Sequence, residues 1–338
     1  MTIRFKKDRI EFEFGHVRHD LVETPEGFRF SGTLTATQIN EGFQGTAFGF
    51  MSGGLAPSQT NTISRFPFAR DSSAVDFGDL VSVTSSHGGA SSSTHGYTIG
   101  GQPTSPPSPP IITNAITKFP FAASSGASDV GDLVQAARLV AGNSSSVSGY
   151  RAGGFLEPTP QSNVIERFSF SYDGNSTDVG DLTRAVEFPA SQNSFVSGYA
   201  SSGWTGSATN VIEKFPFASD ANATDVGDLT GAKYGAAGQS STENGYTSGG
   251  NLNPGATNVI DKFPFAADTN ATDVGDLTSA RNYNAGSSST TSGYNCGGTS
   301  APTAYFSLID KFSFASNANA TNVGDLTNSV QQPAGHQD

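Results

Sequence analysis

Apolar residues in this chain come in short bursts between polar stretches rich in Gly, Ser, Thr and Asn. One stretch, NVIDKFPFAADTNATDVGDL at 258–277, contains no run that reads as a helix. Within its VIDKFPF segment, Val259, Phe263 and Phe265 share one face while Ile260 and Pro264 share the other, as the two-residue period of a strand demands. Both faces read as apolar, which suits a sheet covered on each side by a neighbour. The DVGD that follows has turn chemistry, since Asp bonds its own backbone and Gly supplies torsions that other residues avoid.

The pattern then repeats. A GFMSGG at 49–54 is followed by GYTIGG, GYRAGG, GYASSG, GYTSGG and GYNCGG; RFPFA recurs as KFPFA, RFSFS or KFSFA; and DFGDL recurs as DVGDL or NVGDL. The glycines that open the first landmark, at 49, 96, 149, 198, 245 and 293, stand 47, 53, 49, 47 and 48 residues apart. Each unit holds four short strand candidates, AGSSST, SGYNCGG, LIDKFSF and NVGDLT in the last copy, which make one four-stranded propeller blade. The predicted fold is all-β: a six-bladed β-propeller with a short N-terminal β arm. A single unit cannot hide its apolar faces, so it is copied until the ring closes.

The tyrosine-then-diglycine strand, the apolar strand ending in an aromatic pair and the short outer strand resemble the kelch repeat family over residues 33–330, whose period is close to this one. The outer-strand Trp usual in that family is replaced by the Leu of VGDL, so the resemblance is to the blade plan. The wording KFPFA…NATDVGDLT is also similar to repeats in virion proteins of marine tailed phages of the cyanophage and pelagiphage type. TDVGD partly resembles the Asp-box turn of sialidase-like propellers without its Ser and Trp.

Wedges converging on an axis need small side chains in the innermost strand, and ASSS, GNSSS, GQSS and GSSS provide them. Diglycine permits close backbone approach where the next strand leaves the centre. Pro67, Pro120, Pro216 and Pro264 occupy a position where the ladder has no bond to lose, and Ser169 and Ser313 stand there in the other copies. Ring closure is open at this point: counted from Thr33 each blade is complete, yet NSVQQPAGHQD at the C-terminus resembles one more innermost strand that swaps into the first blade.

Residues 1–32 differ from the rest, holding 12 of the 48 charged residues. RIEFEFG alternates strictly and VETPEGFRFSG reads as a hairpin with a Pro-Glu-Gly turn. The predicted organisation is therefore an arm, 1–32, and a propeller, 33–338. The arm either packs as a strand pair under the propeller or serves docking and oligomerisation by adding strands to a partner.

Composition narrows the function. With 18 Lys and Arg against 30 Asp and Glu the formal charge is −12, which argues against nucleic acid and anionic membranes as partners. Cys296 is the only cysteine, so neither a disulfide framework nor a metal site of four cysteines forms, and its GYNCGG context makes it a small buried strand residue. The N-terminus lacks the apolar core of a secretory signal and no apolar run is long enough to span a bilayer. A surface of external style without a signal is expected of a protein made in a host cytoplasm, assembled into a particle and released by lysis.

Catalytic chemistry is sparse. The pairs Asp129/Asp132, Asp178/Asp181, Asp225/Asp228 and Asp273/Asp276 offer the two carboxylates of a glycosidase, but they recur blade by blade and read as turns spread around the ring. DTNATDVGD lacks the alternating ligands and closing Glu of an EF-hand loop. His16 and His19 read as a surface pair, and no metal or other cofactor is expected. Arg65, Lys118, Arg167, Lys214, Lys262 and Lys311 are expected to contact a nearby Asp within or between blades. Asn175, Asn222, Asn270 and Asn319 head N-x-S/T sequons that are not expected to carry glycans.

What varies between copies is the loop after the diglycine, and such variation falls on one face of a repeat protein, often the binding face. Phe155, Trp204, Tyr305 and Phe306 lie in these loops, and aromatic planes on a polar rim suit sugar stacking; the alternative is that they cap blade ends. The expected function is a non-enzymatic structural and adhesive virion protein of a tail, fibre or head surface. Its expected partners are other virion proteins through the arm and a host-surface glycan or receptor, with homo-oligomer formation left open. A propeller-type glycan hydrolase and an intracellular kelch-type scaffold are the alternatives.

Overall fold

The computed structural model describes residues 44–338 except 56, 104–110, 159 and 301–303, together with four N-terminal strands, Thr2–Phe5, Arg9–Phe14, Val17–Thr24 and Gly27–Ser31. The chain forms two compact units, Met1–Glu41 and Gly42–Asp338. The first is an antiparallel meander in sequence order, in which Thr24 pairs with Gly27. His16 lies outside the described residues.

The second unit is a six-bladed propeller of four-stranded antiparallel sheets. Blade V is typical, with its innermost strand at Ala237–Ser240, then Asn244–Ser248, Val259–Pro264 and the outer Thr272–Asp276. Blades II, III, IV and VI start at Gly88–Ser91, Ala141–Ser144, Ala190–Asn193 and Ala285–Ser288. Blade I takes its innermost strand, Ala334–Gln337, from the C-terminus and pairs it with Phe48–Ser52, which decides between the two closures the sequence left open. Asp338 then accepts the Ala47 and Phe48 N–H groups on its carboxylate at 2.9 and 2.8 Å.

The repeated wording is the cement of the ring. Each second-strand glycine faces the first Phe of the third strand, as Gly198 faces Phe215, and the ring lies where a Cβ would be. The next residue stacks on the second Phe of the following blade. Tyr97 on Phe170, Tyr150 on Phe217, Tyr199 on Phe265, Tyr246 on Phe314 and Tyr294 on Phe68 have centroids 4.8–4.9 Å apart, and Phe50 on Phe121 takes the same role at 4.7 Å. Offset stacks of this kind contribute about 0.5–1.5 kcal/mol each beyond the area they bury.

The outer rim is laced in the same sense. Lys118, Arg167, Lys214 and Lys311 pair with Asp173, Asp220, Asp268 and Asp71 of the next blade at 2.6–2.9 Å, and Lys262 bonds Asn317 at 2.8 Å. Arg65 instead lies over Phe48 and Phe77, 4.5 Å from each centroid. In DVGD the first Asp accepts the N–H of the Gly two residues on, at 3.1 Å in blade V. The backbone N–H of the second Asp is capped by the next blade's sequon Asn, as Asn319 Oδ1 caps Asp276 at 3.1 Å. The Asp pairs therefore lie around the outer edge of the ring and do not converge.

One expectation needs correction. The face of VIDKFPF that carries Val259 and Phe263 is not apolar throughout, because Asp261 lies on it fully buried and paired with Lys233 at 2.8 Å. Glu166 with Arg151 and Asp310 with Arg281 repeat the arrangement at 3.0 and 2.9 Å, and Glu213 with Arg184 at 3.2 Å. Each carboxylate also accepts from the preceding blade's DLT or DLV segment: Glu166 takes the Val134 N–H and Asp310 the Thr278 N–H, both at 2.9 Å. The acid is tolerated in the interior because cation, N–H and hydroxyl together replace the water it loses.

Around the axis the innermost strands close a ring of hydrogen bonds. Ser91 N donates to Ser144 Oγ, Ser144 N to Asn193 Oδ1, Asn193 N to Ser240 Oγ, Ser240 N to Ser288 Oγ, Ser288 N to Gln337 Oε1 and Gln337 N back to Ser91 Oγ, at 2.9–3.3 Å. Gln44 lies at this end of the axis and donates to the Ser240 and Ser289 carbonyls.

Candidate functional site

At the opposite end of the axis, six connections lead into the innermost strands. Ser86, Leu139, Phe188, Tyr283 and Gln332 hold left-handed φ of 54–62° beside Gly235 at 62°, one residue per blade. Their backbones form a second closed ring in which each N–H donates to the carbonyl of the preceding blade: Ser86 to Gln332, Leu139 to Ser86, Phe188 to Leu139, Gly235 to Phe188, Tyr283 to Gly235 and Gln332 to Tyr283, at 2.6–3.3 Å. A left-handed backbone costs a residue with a side chain about 1 kcal/mol or more. Five of six copies bear that cost to place Ser, Leu, Phe, Tyr and Gln at the mouth of the axis.

Two further rings surround this one. The preceding residues, Ser85, Arg138, Glu187, Tyr234, Asn282 and Gln331, pair through their backbones with the first residue after each diglycine: Gln102, Phe155, Trp204, Asn251, Thr299 and Leu55. The first residues of the variable loops therefore lie on one face around the axis. Equivalent backbone positions carry unlike side chains here, whereas the blade interfaces carry like ones.

The mouth is lopsided. Phe188 and Tyr283 lean over the bare Gly235 with centroids 5.1 Å apart, Tyr234 stands 5.8 Å from Phe188, and Trp204 meets Tyr234 edge-on at 5.0 Å. Ser86 and Gln332 on the other side are polar and bonded to each other at 2.8 Å. The Arg138 guanidinium lies 4.5 Å from the Phe155 centroid and donates to Gln102 Oε1 at 2.7 Å. Burial pushes the Glu187 carboxyl above the usual carboxylate range, against a bond from Gln161 and the charge of Arg138. Burial, reinforced by Tyr234, also pushes the Tyr283 phenol up, so it stays protonated and able to donate.

Within the rings a funnel opens, lined by Leu139, Val140, Phe188, Pro189, Tyr283 and Pro333 among apolar groups and by His87 and Asn284 among polar ones. It narrows to a collar of Gly89, Gly142, Ser191, Gly238, Gly286 and Gly335, where a Cβ on Gly238 would overlap the Ser191 carbonyl. His87 Nδ1 and Asn284 Oδ1 are buried without a hydrogen-bond partner. No cluster of three or more His, Cys, Asp or Glu able to hold a metal occurs among the described residues.

Of the aromatics expected at the site, Phe155 and Trp204 occupy equivalent positions in the outer ring, half-buried, one under Arg138 and the other against Tyr234. Tyr305 pairs with Thr299 and Phe306 N–H donates to Gly298, so both lie further along the blade VI loop, and no ring contact among the described residues joins them to the cluster. Phe188, Tyr234 and Tyr283, with Arg138 and Glu187, escaped the sequence reading. Their signal was the unlike residue pairs SS, RL, EF, YG, NY and QQ just ahead of the small-residue strands.

Among solved structures, the chain is similar to that of the protein YjhT, with 11% sequence identity, coverage of 83% of this chain and 99% of that one, and a TM-score of 0.65. At that identity the likeness shows the propeller fold alone. No protein-family model matches the chain, and no curated protein does.

Proposed function

We propose that this chain is a non-enzymatic structural and adhesive virion protein, a tail, fibre or head-surface component of a tailed phage, whose kelch-like propeller presents its ringed mouth to a host-surface receptor or glycan. One observation carries the binding part of this reading: side chains that differ from copy to copy gather on one face around the axis, while the shared ones are spent on blade contacts. The repeat wording KFPFA…NATDVGDLT, similar to that of marine phage virion proteins, supports the particle assignment. Glu187 is the one carboxylate among the eighteen ring positions, whereas glycoside cleavage uses two flanking the bond, which favours binding over hydrolysis.

Display in many copies would add weak contacts into firm adhesion. The test is to express tagged full-length chain and a form lacking residues 1–32 during infection, then probe purified particles for each. Full-length chain is expected in the particles and the truncated form, with an unchanged melting temperature, in the lysate only. Particles devoid of full-length chain refute the virion reading; particles that carry the truncated form refute docking through the arm.

A further inference from the structure

The N-terminal unit is a single sheet, with no second layer among its described residues. Register assigns each strand residue to a face, because residues directly opposite in an antiparallel pair share one. Ile10 stands opposite Phe5 and Leu21, and Leu21 opposite Phe30, so one row of four apolar residues crosses the whole sheet. Counted outward by twos, nine of the eleven positions on that face are Phe, Ile, Leu or Val, and His19 and Glu23 are the other two. The second face carries charged residues of both signs, with Arg4 opposite Glu11 and Glu13 opposite Arg18. Such a sheet can meet water on its charged side and needs a cover on the other.

A second copy of this chain fits that requirement. Residues 1–32 hold six basic and six acidic residues, so the whole charge of −12 lies in the rest of the chain and two copies meet here without net repulsion. Burying one apolar side chain removes about 60–120 Å² from water, so nine bring about 550–1,100 Å² per copy, which spans the roughly 800 Å² each partner gives to a stable interface. The outer strands have four and five residues against six and eight in the middle, and short edges resist strand addition, which leaves the face for contact. The propeller's exposed large apolar residues come one or two to a blade over blades I to V, so its described surface has no apolar face of like size.

We propose that two copies of the chain join through the apolar faces of their N-terminal sheets, packed as a two-layer sandwich about a twofold axis with the charged faces outward. The pair would carry two propellers, so that each weak contact made by one is reinforced by the other. The inference does not depend on the virion reading.

The test weighs the full chain by light scattering and by sedimentation equilibrium. The mass of two chains is expected. A single chain at every concentration overturns the proposal, and so does a trimer, which two layers do not accommodate. Leu21→Lys is expected to weaken self-association about a hundredfold or more, since it puts a charge between the layers. Ser31→Lys adds the same charge to the other face, opposite Asp20, and should leave the mass unchanged. Pairs that survive Leu21→Lys overturn the apolar face as the interface. A sheet unfolded by Leu21→Lys would also lose its partner, so a second measurement reads the contact itself. Cys296 is the only cysteine and is buried, which makes an introduced cysteine the one accessible thiol. With layers about 10 Å apart, a short bismaleimide is expected to join two chains of Leu21→Cys and none of Glu11→Cys, which belongs to the other face. Equal joining of the two, or none at Leu21→Cys, refutes face-to-face packing.

Discussion

At Gly198 the difference between one hydrogen and one methyl group decides how a blade packs. The Phe215 ring lies across the glycine where a Cβ would project, and the same contact recurs at Gly49, Gly96, Gly149, Gly245 and Gly293. Gly198→Ala must push the Phe215 ring off its tilted contact with Tyr150 of the preceding blade. Forced overpacking of this kind costs about 1–3 kcal/mol, so the urea midpoint should fall by that equivalent. Gly174→Ala is the control, because its Cβ would meet nothing nearer than the Tyr172 ring at 3.8 Å. Equal midpoints for the two variants would show that the Gly–Phe contact is not what excludes a side chain. At this scale the sequence was legible where a residue recurs and opaque where it varies. Trp204 could be found as an aromatic in a variable loop, whereas Phe188 and Tyr283 share their place with Ser, Leu, Gly and Gln, and only the left-handed ring aligns them. Asp261 was passed over because a charge amid apolar residues declares no partner, and Lys233 stands 28 positions earlier in the chain.

Strands show the same division. Four strands per unit, their order and the blade count could be read from spacing, since period-two patterns and turn residues are local. The role of the innermost strand could not. Small size explains Ser240 but not Gln337 or Asn193, which hold equivalent places; the property they share is a side-chain oxygen that accepts the neighbouring blade's N–H. That acceptor becomes visible only when six strands are seen side by side. Ser240→Ala should therefore destabilise by about 0.5–1.5 kcal/mol, the cost of losing the hydrogen bond to the half-buried Asn193 N–H, and should speed hydrogen exchange at the Asn193 amide. The exposed Thr242→Ala should change neither. If Ser240→Ala matches that control in both readouts, size alone governs these strands and the ring of acceptors adds nothing to stability.

On the scale of the whole molecule, stability turns on the joint where the C-terminal strand completes blade I. His336 on that strand, Ser52 on the strand beside it and His87 at the start of blade II form one hydrogen-bonded run, with both imidazoles buried. Burial pushes His336 down to about 4, and burial together with the neighbouring His336 pushes His87 down to about 3. In the unfolded chain both return to about 6.5. Below that pH the unfolded state binds protons that the folded state refuses, so stability is whole above pH 6.5 and is lost as pH falls toward 4. Each histidine contributes a slope of about 1.4 kcal/mol per pH unit in that window. Urea midpoints measured between about pH 7.5 and 5, above the range in which most carboxylates titrate, should be flat at first and then fall steeply. His336→Gln removes one of the two ionisations and should roughly halve the fall between about pH 6.5 and 5. An unchanged slope in that variant would mean that acid opens the propeller elsewhere. Protonation of either ring puts an unpaired charge between the first two blades, beside the only strand the chain must bring back from its far end, so acid should release the closing strand before it separates blades III to VI.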